Sequence, residues 1–192
     1  MYKMIETHFE FVSFVFMTKR QANQYFDWFQ EQIPLRIKTL IDFYAASKDN
    51  RIEDLDLSPE SLIKLWSWFS SQVELSSNKS TEFEEEINSF PKWLLYEVSQ
   101  GNKFSEKTSS ILIDIGMYFG TVLINNAQPL KWGVIYSPKD FVEVKQPVIT
   151  GFKSDLVLNP IRIADVCTRR GLRQGHSNNS LYDTYKVWQE YI

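Results

Sequence analysis

The chain has 192 residues, a formal net charge of −3, and 43% hydrophobic against 23% charged residues. This is the composition of one globular domain, and it excludes a disordered or fibrous chain. Residues 1–130 carry 12 basic and 18 acidic side chains, and residues 131–192 carry 9 and 6, a balance that speaks against general nucleic-acid binding.

Fourteen Phe, nine Tyr and six Trp provide ample aromatic core. Seven Gly and seven Pro are too few for long flexible linkers. The lone cysteine, Cys167, excludes an internal disulfide, so packing alone must hold the fold. A chain of this length buries roughly 70% of its unfolded surface, which is enough. With only His8 and His176 beside that cysteine, a His/Cys zinc site is excluded. No Asp/Asn/Gly calcium loop is present, and no metal or cofactor is expected.

In chain order, the first apolar run is Phe9–Met17. Glu6 and Glu10 stand where a secretory signal needs basic residues, and no small-residue cleavage pattern follows. The run reads as a buried strand. No stretch reaches the eighteen or so apolar residues of a membrane helix, and a cytoplasmic location is expected.

Thr18, three residues before Gln21, forms a capping box. Ala22, Tyr25, Phe26, Phe29, Ile33, Ile37, Leu40, Ile41 and Tyr44 then recur at three- and four-residue steps, which predicts a helix to about Ala46. Pro34 predicts a kink or break within it. Residues 47–56 read as a loop. Ser58-Pro59-Glu60 reads as the start of a helix carrying Leu62, Ile63, Leu65, Trp66, Trp68 and Phe69. Thr81 caps a short helix whose acidic cluster, Glu82, Glu84, Glu85 and Glu86, forms a solvated face. Pro91–Val98 predicts another short helix, ended by Gly101.

Ser105 opens a helix containing Ile111, Leu112, Ile115, Phe119, Val122 and Leu123. Gly116 and Gly120 share one of its faces. Each costs the helix about 1 kcal/mol relative to alanine, so a neighbouring element is expected to approach the bare backbone there. Residues 130–136 alternate as a strand, Ser137–Asp140 turns, and Phe141–Ile149 returns as a second strand. Leu156–Leu158 suggests a third. Asn159-Pro160 suits a helix start, although Ile161-Arg162-Ile163 also alternates like a strand, and both readings stand for 159–170. Residues 171–179 read as a polar loop. Ser180 opens a last helix with Leu181, Tyr185, Trp188 and Tyr191.

Three features bear on chemistry. Cys167 and Arg173 have the C-x5-R spacing of phosphatase loops, in which a thiolate attacks phosphorus while loop amides and arginine hold the oxygens. Val166 and Gln174 depart from that pattern, and the residues after Gln174 disfavour the helix the loop needs. Asp114, an acid on an apolar helix, suits either a general acid or base or a structural pair with an arginine such as Arg162. His176, Ser177, Ser180 and Asp183 include the residue types of a hydrolase triad, but no nucleophile elbow accompanies them. The candidate binding set is Lys153, Arg162, Arg169, Arg170 and Arg173 with Tyr182 and Tyr185, because arginines beside aromatics are enriched at interfaces.

Three stretches, Met17–Phe29, Leu57–Leu62 and Asp114–Gly120 followed by Trp132-Gly133, together resemble a group of uncharacterised small cytoplasmic proteins, mostly of Gram-positive bacteria. In size and build the chain is also similar to the immunity partners of bacterial toxins. The expected architecture is one α+β domain over 1–192. Its N-terminal two-thirds is mostly helical and packs with a small antiparallel sheet and C-terminal helices. The expected function is non-enzymatic binding of a protein partner, with toxin neutralisation as one form. The alternatives are a small phosphate or acyl hydrolase using Cys167 or Asp114, and a weak nucleic-acid binder. No membrane association is expected, and a homo-oligomer remains open.

Overall fold

A computed structural model describes residues 2–76, 104–175 and 177–192. The short helices expected around Thr81 and Pro91, and the acidic cluster, lie outside the described residues.

Helix α1 spans Lys19–Ala45. Its capping box forms as the sequence predicts: Gln21 N–H donates to Thr18 Oγ1 at 3.3 Å, and Thr18 N–H donates to Gln21 Oε1 at 2.9 Å. The helix runs unbroken through Pro34. Pro34 and Gln30, whose carbonyl loses its amide partner, both lie on the exposed face, where water can serve that oxygen. The opposite face buries Ala22, Tyr25, Trp28, Phe29, Arg36, Ile37, Leu40 and Tyr44.

Helix α2 spans Ser61–Ser70. It is preceded by a tight turn in which Ser61 N–H donates to Ser58 Oγ at 3.3 Å, so Ser58 caps the turn. Leu62, Leu65, Trp66 and Phe69 are fully enclosed. Helix α3, Glu106–Asn126, starts at Ser105, whose hydroxyl accepts the Thr108 N–H at 3.1 Å. Among the described residues it is the one helix long and apolar enough to cross a membrane. It reaches 21 residues where no such run was expected, but 72% of its apolar window is buried inside the fold. From Asp114 to Gly120 every residue is buried.

Strands β1 (Lys131–Val134) and β2 (Pro147–Thr150) pair antiparallel, with Trp132 opposite Ile149. The second strand is shorter than expected. Residues 141–146 form turns, Lys145 takes a φ of 66°, and Pro147 brings no N–H to the ladder. The expected third strand is reduced to a bridge between Leu158 and Ile149, because helix α4 begins two residues later. That helix, Pro160–Gln174, decides the open reading of 159–170 and takes four residues from the expected loop. Asn159 Oδ1 accepts the Arg162 N–H at 3.2 Å, and Pro160 occupies the first turn, where its missing donor costs nothing. Ala164, Cys167, Thr168 and Gly171 then face inward at helical spacing. Helix α5 is Ser180–Gln189. The result is a mostly helical α+β fold, with one small two-stranded sheet among the described residues.

The expected N-terminal strand does not form. Residues 9–17 contain a turn in which Phe16 and Met17 N–H groups donate to Ser13 O at 2.9 and 3.0 Å. Val15 and Phe16 are about 70% exposed. The apolar run is satisfied by ring packing instead: Phe9, Phe11 and Phe14 meet Tyr25 edge-on at 6.5, 5.6 and 4.9 Å.

Helix α3 packs between α1 and α4. The glycine pair performs the close approach its spacing suggests. A Cβ on Gly116 would stand 2.6 Å from Ile161 Cγ1 and 2.7 Å from its Cα, and one on Gly120 would overlap the Trp132 ring. Gly116→Ala should therefore lower stability by about 2 kcal/mol despite alanine's helix preference, because the obstacle is backbone. Gly120→Ala should cost less, since a side-chain ring can turn. Urea unfolding of both variants checks this, and a stabilised Gly116→Ala protein would contradict the contact.

Candidate functional site

Two groupings of reactive side chains stand out: a buried polar cluster at α3 and the cationic face of α4.

The buried cluster centres on Asp114. Arg36 grips it in a fork, Nε to Oδ1 at 2.8 Å and Nη2 to Oδ2 at 2.6 Å, and the Tyr2 hydroxyl also donates to Oδ2. Arg36 further donates from Nη1 to Met4 O at 3.3 Å and from Nη2 to Ser110 Oγ at 3.4 Å. The side chains of the pair are 5% and 0% exposed. Burial pushes the Asp114 carboxyl above its ordinary value against the pull of Arg36 and Tyr2. Burial pulls the guanidinium down, but the hydrogen bonds and charge of Asp114, together with Tyr2, outweigh it and hold Arg36 above its ordinary value. The expected partner, Arg162, is elsewhere: its Nη1 lies 3.1 Å from Glu143 Oε1, because Arg162 sits on α4 facing the turn before β2. Arg36 was legible in principle. It stands three residues after Ile33 and four before Leu40, a charge interrupting one apolar stripe as Asp114 interrupts another. Tyr2 carries no comparable signal.

The C-x5-R pair does not form a phosphate cradle. Cys167 lies within α4, so the amides that would face an anion belong to the helix. Its Sγ is 3.8 Å from Thr184 Oγ1, and burial pushes the thiol up, against the smaller pull of Thr184 and Arg170. His176 lies outside the described residues.

The binding set is partly assembled. Arg162, Arg169 and Arg173 share a stripe of α4, with Arg170 beside it. Arg169 Nε pairs with Asp165 at 2.9 Å, and its guanidinium lies 4.6 Å over the Phe104 ring. Arg173 Nε donates to Arg169 O at 3.3 Å. Arg170 and Arg173 are exposed and make no ion pair among the described residues. Val166, 41% exposed, stands one turn before Arg170. Tyr182 is half-buried beneath Lys186, 5.0 Å away, while Tyr185 is in the core with its hydroxyl accepting from Gln189 Nε2 at 2.9 Å. Lys153 is at the far end of α5, its N–H donating to Tyr191 O at 2.7 Å.

No family model, curated protein or solved structure matches the chain.

Two outcomes follow from this geometry. Arg36→Met, which strands a buried carboxyl, should cost about 3–5 kcal/mol, and the Arg36→Met/Asp114→Leu double variant should be more stable than the single one. Urea midpoints decide it. Cys167 should react with a disulfide reagent at neutral pH at least ~10-fold more slowly than a free thiol, since burial keeps it protonated and covered. A rate matching that of free cysteine would show it open to substrate.

Proposed function

We propose that the protein is a non-enzymatic binding module of the bacterial cytoplasm that holds an acidic protein surface against α4. The observation that carries this reading is the exposed ridge of Val166, Arg170 and Arg173: an apolar side chain followed, one and two turns along the helix, by two cations that make no ion pair among the described residues. Arginine next to exposed apolar surface is the chemistry of interface anchors, because the guanidinium forks onto carboxylates while its flat faces pack on carbon. Neutralisation of a bacterial toxin is one form such binding takes in this reading, by analogy of size and build alone.

The hydrolase reading finds less support. Cys167 is enclosed in a helix, and Asp114 is saturated by Arg36 and Tyr2 beneath the surface. Neither offers a reacting atom to a substrate without rearrangement.

The test is capture of a partner by the tagged protein from its host lysate, followed by affinity measurement with charge-reversed variants. Arg170→Glu/Arg173→Glu should weaken the complex by about 30-fold, the effect of losing an interface anchor, while leaving the melting temperature unchanged. An affinity that ignores the reversal would remove α4 from the interface.

A further inference from the structure

The N-terminal arm, residues 2–17, contains neither helix nor strand, yet its beginning is seated in the core. Tyr2 is 5% exposed, its ring edge-on to Phe43 at 4.8 Å and beneath the Arg36 guanidinium at 5.5 Å. Its hydroxyl donates to Asp114. Two residues on, Met4 O accepts from Arg36 Nη1, and the next N–H, that of Ile5, donates to Ser110 Oγ at 2.9 Å. Lys3, Glu6 and His8 face solvent, while Tyr2, Ile5, Thr7 and Phe9 are covered or half-covered. The arm is bound as an extended peptide is bound in a groove. A side-chain anchor fills a pocket, alternate residues face the wall, and a few backbone groups are met by side chains of the receptor.

We infer that residues 2–9 form a releasable strap, and that the groove beneath it, between α1 and α3, is a binding site for this segment whether it comes from the same molecule or from a second copy. Two features allow release without unfolding. The Arg36–Asp114 fork keeps both of its own hydrogen bonds, and Arg36 keeps Ser110, when Tyr2 and Met4 depart. No charge is left unpaired. The strap also borders, along its edge, an open surface depression of about 580 Å³ whose lining includes Ile5, Glu6, Thr7, Tyr25, Trp28 and Ile113, so nothing packs on that side of it. Segments with few backbone bonds and incomplete packing open at lower free energy than the helices they cover. This inference is independent of the α4 surface.

Hydrogen exchange on the full chain tests it directly. The Ile5 amide should exchange at least 100-fold faster than the amides of Ile115 and Phe119, with little dependence on denaturant. In Tyr2→Phe it should exchange about 10-fold faster still, with α3 unchanged, because a hydrogen bond to a charged group has been removed. Ile5 exchanging at the rate of α3, with the same steep denaturant dependence, would overturn the strap. The groove is tested with a fluorescent peptide of residues 2–12. It should bind the full-length Tyr2→Ala protein more tightly than the wild type, whose own arm competes. A peptide with Phe in place of Tyr2 should bind about 10-fold more weakly. Equal binding of the peptide to both proteins, or none to either, would overturn the groove.

Discussion

Two turns of α3, from Asp114 to Gly120, are buried on every side, and that enclosure sets the positions of the elements around them. A helix covered all round has no water to satisfy its polar side chains, so each must find a partner on another element. Asp114 finds Arg36 on α1 and Tyr2 on the arm. Tyr118 finds α2 and the loop before it: its hydroxyl accepts the Leu57 N–H at 3.0 Å and lies 2.7 Å from Oγ of Ser61, the first residue of α2. Among the described residues no buried side-chain polar atom lacks a partner. On the remaining face Gly116 lets the backbone of α4 approach at Ile161, and Gly120 makes room for the Trp132 ring of β1. The polar residues thus fix which element lies where, and the apolar ones supply most of the stabilisation.

Features written in local chemistry were legible from the sequence. Thr18 with Gln21, and Ser105, start helices because their side chains meet needs of the first turn, whatever surrounds them. Asn159 with Pro160 offers the same start, but the alternation of 161–163 kept a strand equally open until α4 decided it. The Gly116/Gly120 spacing also read correctly, since its cost demands a neighbour. Features decided by distant partners were not legible. Residues 9–17 are apolar enough for a buried strand, but the sheet forms elsewhere, and Tyr25 and Trp28 offer rings in place of a ladder. Asp114 announced itself as a buried acid without saying which arginine would reach it. The choice of Arg36 over Arg162 follows from how α1 and α4 lie against α3, which no local pattern contains.

The same distinction governs the candidate site. C-x5-R is a spacing, and spacing creates an anion cradle only if the intervening residues form a loop with amides turned inward. Here Asn159 and Pro160 start a helix that continues to Gln174, and its inward positions are taken by Ala164, Cys167 and Gly171. The helical register sends Cys167 into the core and Arg170 and Arg173 outward. A thiol and arginines that a phosphatase would converge on one anion are thereby separated, which leaves the arginines available to a surface.

The two polar residues at the centre of α3 differ in what they allow. Leu57 holds a φ of 63°, a conformation that costs a bulky residue roughly 1–3 kcal/mol and persists only where its surroundings hold it. Tyr118 accepts its N–H and Asn126 Nδ2 donates to its carbonyl at 3.4 Å. Withdrawing Leu57 would leave the Tyr118 hydroxyl with Ser61 Oγ at the start of α2, while both backbone groups of Leu57 would lose the partners that α3 gives them. Asp114 is different, because its strongest partner, Arg36, belongs to α1 and stays when the arm leaves. Tyr118 ties both the loop and the first residue of α2 to α3. Asp114 holds the arm by one side-chain bond beside its fork with Arg36, a bond the core can do without, and that is the physical basis on which the arm can be released.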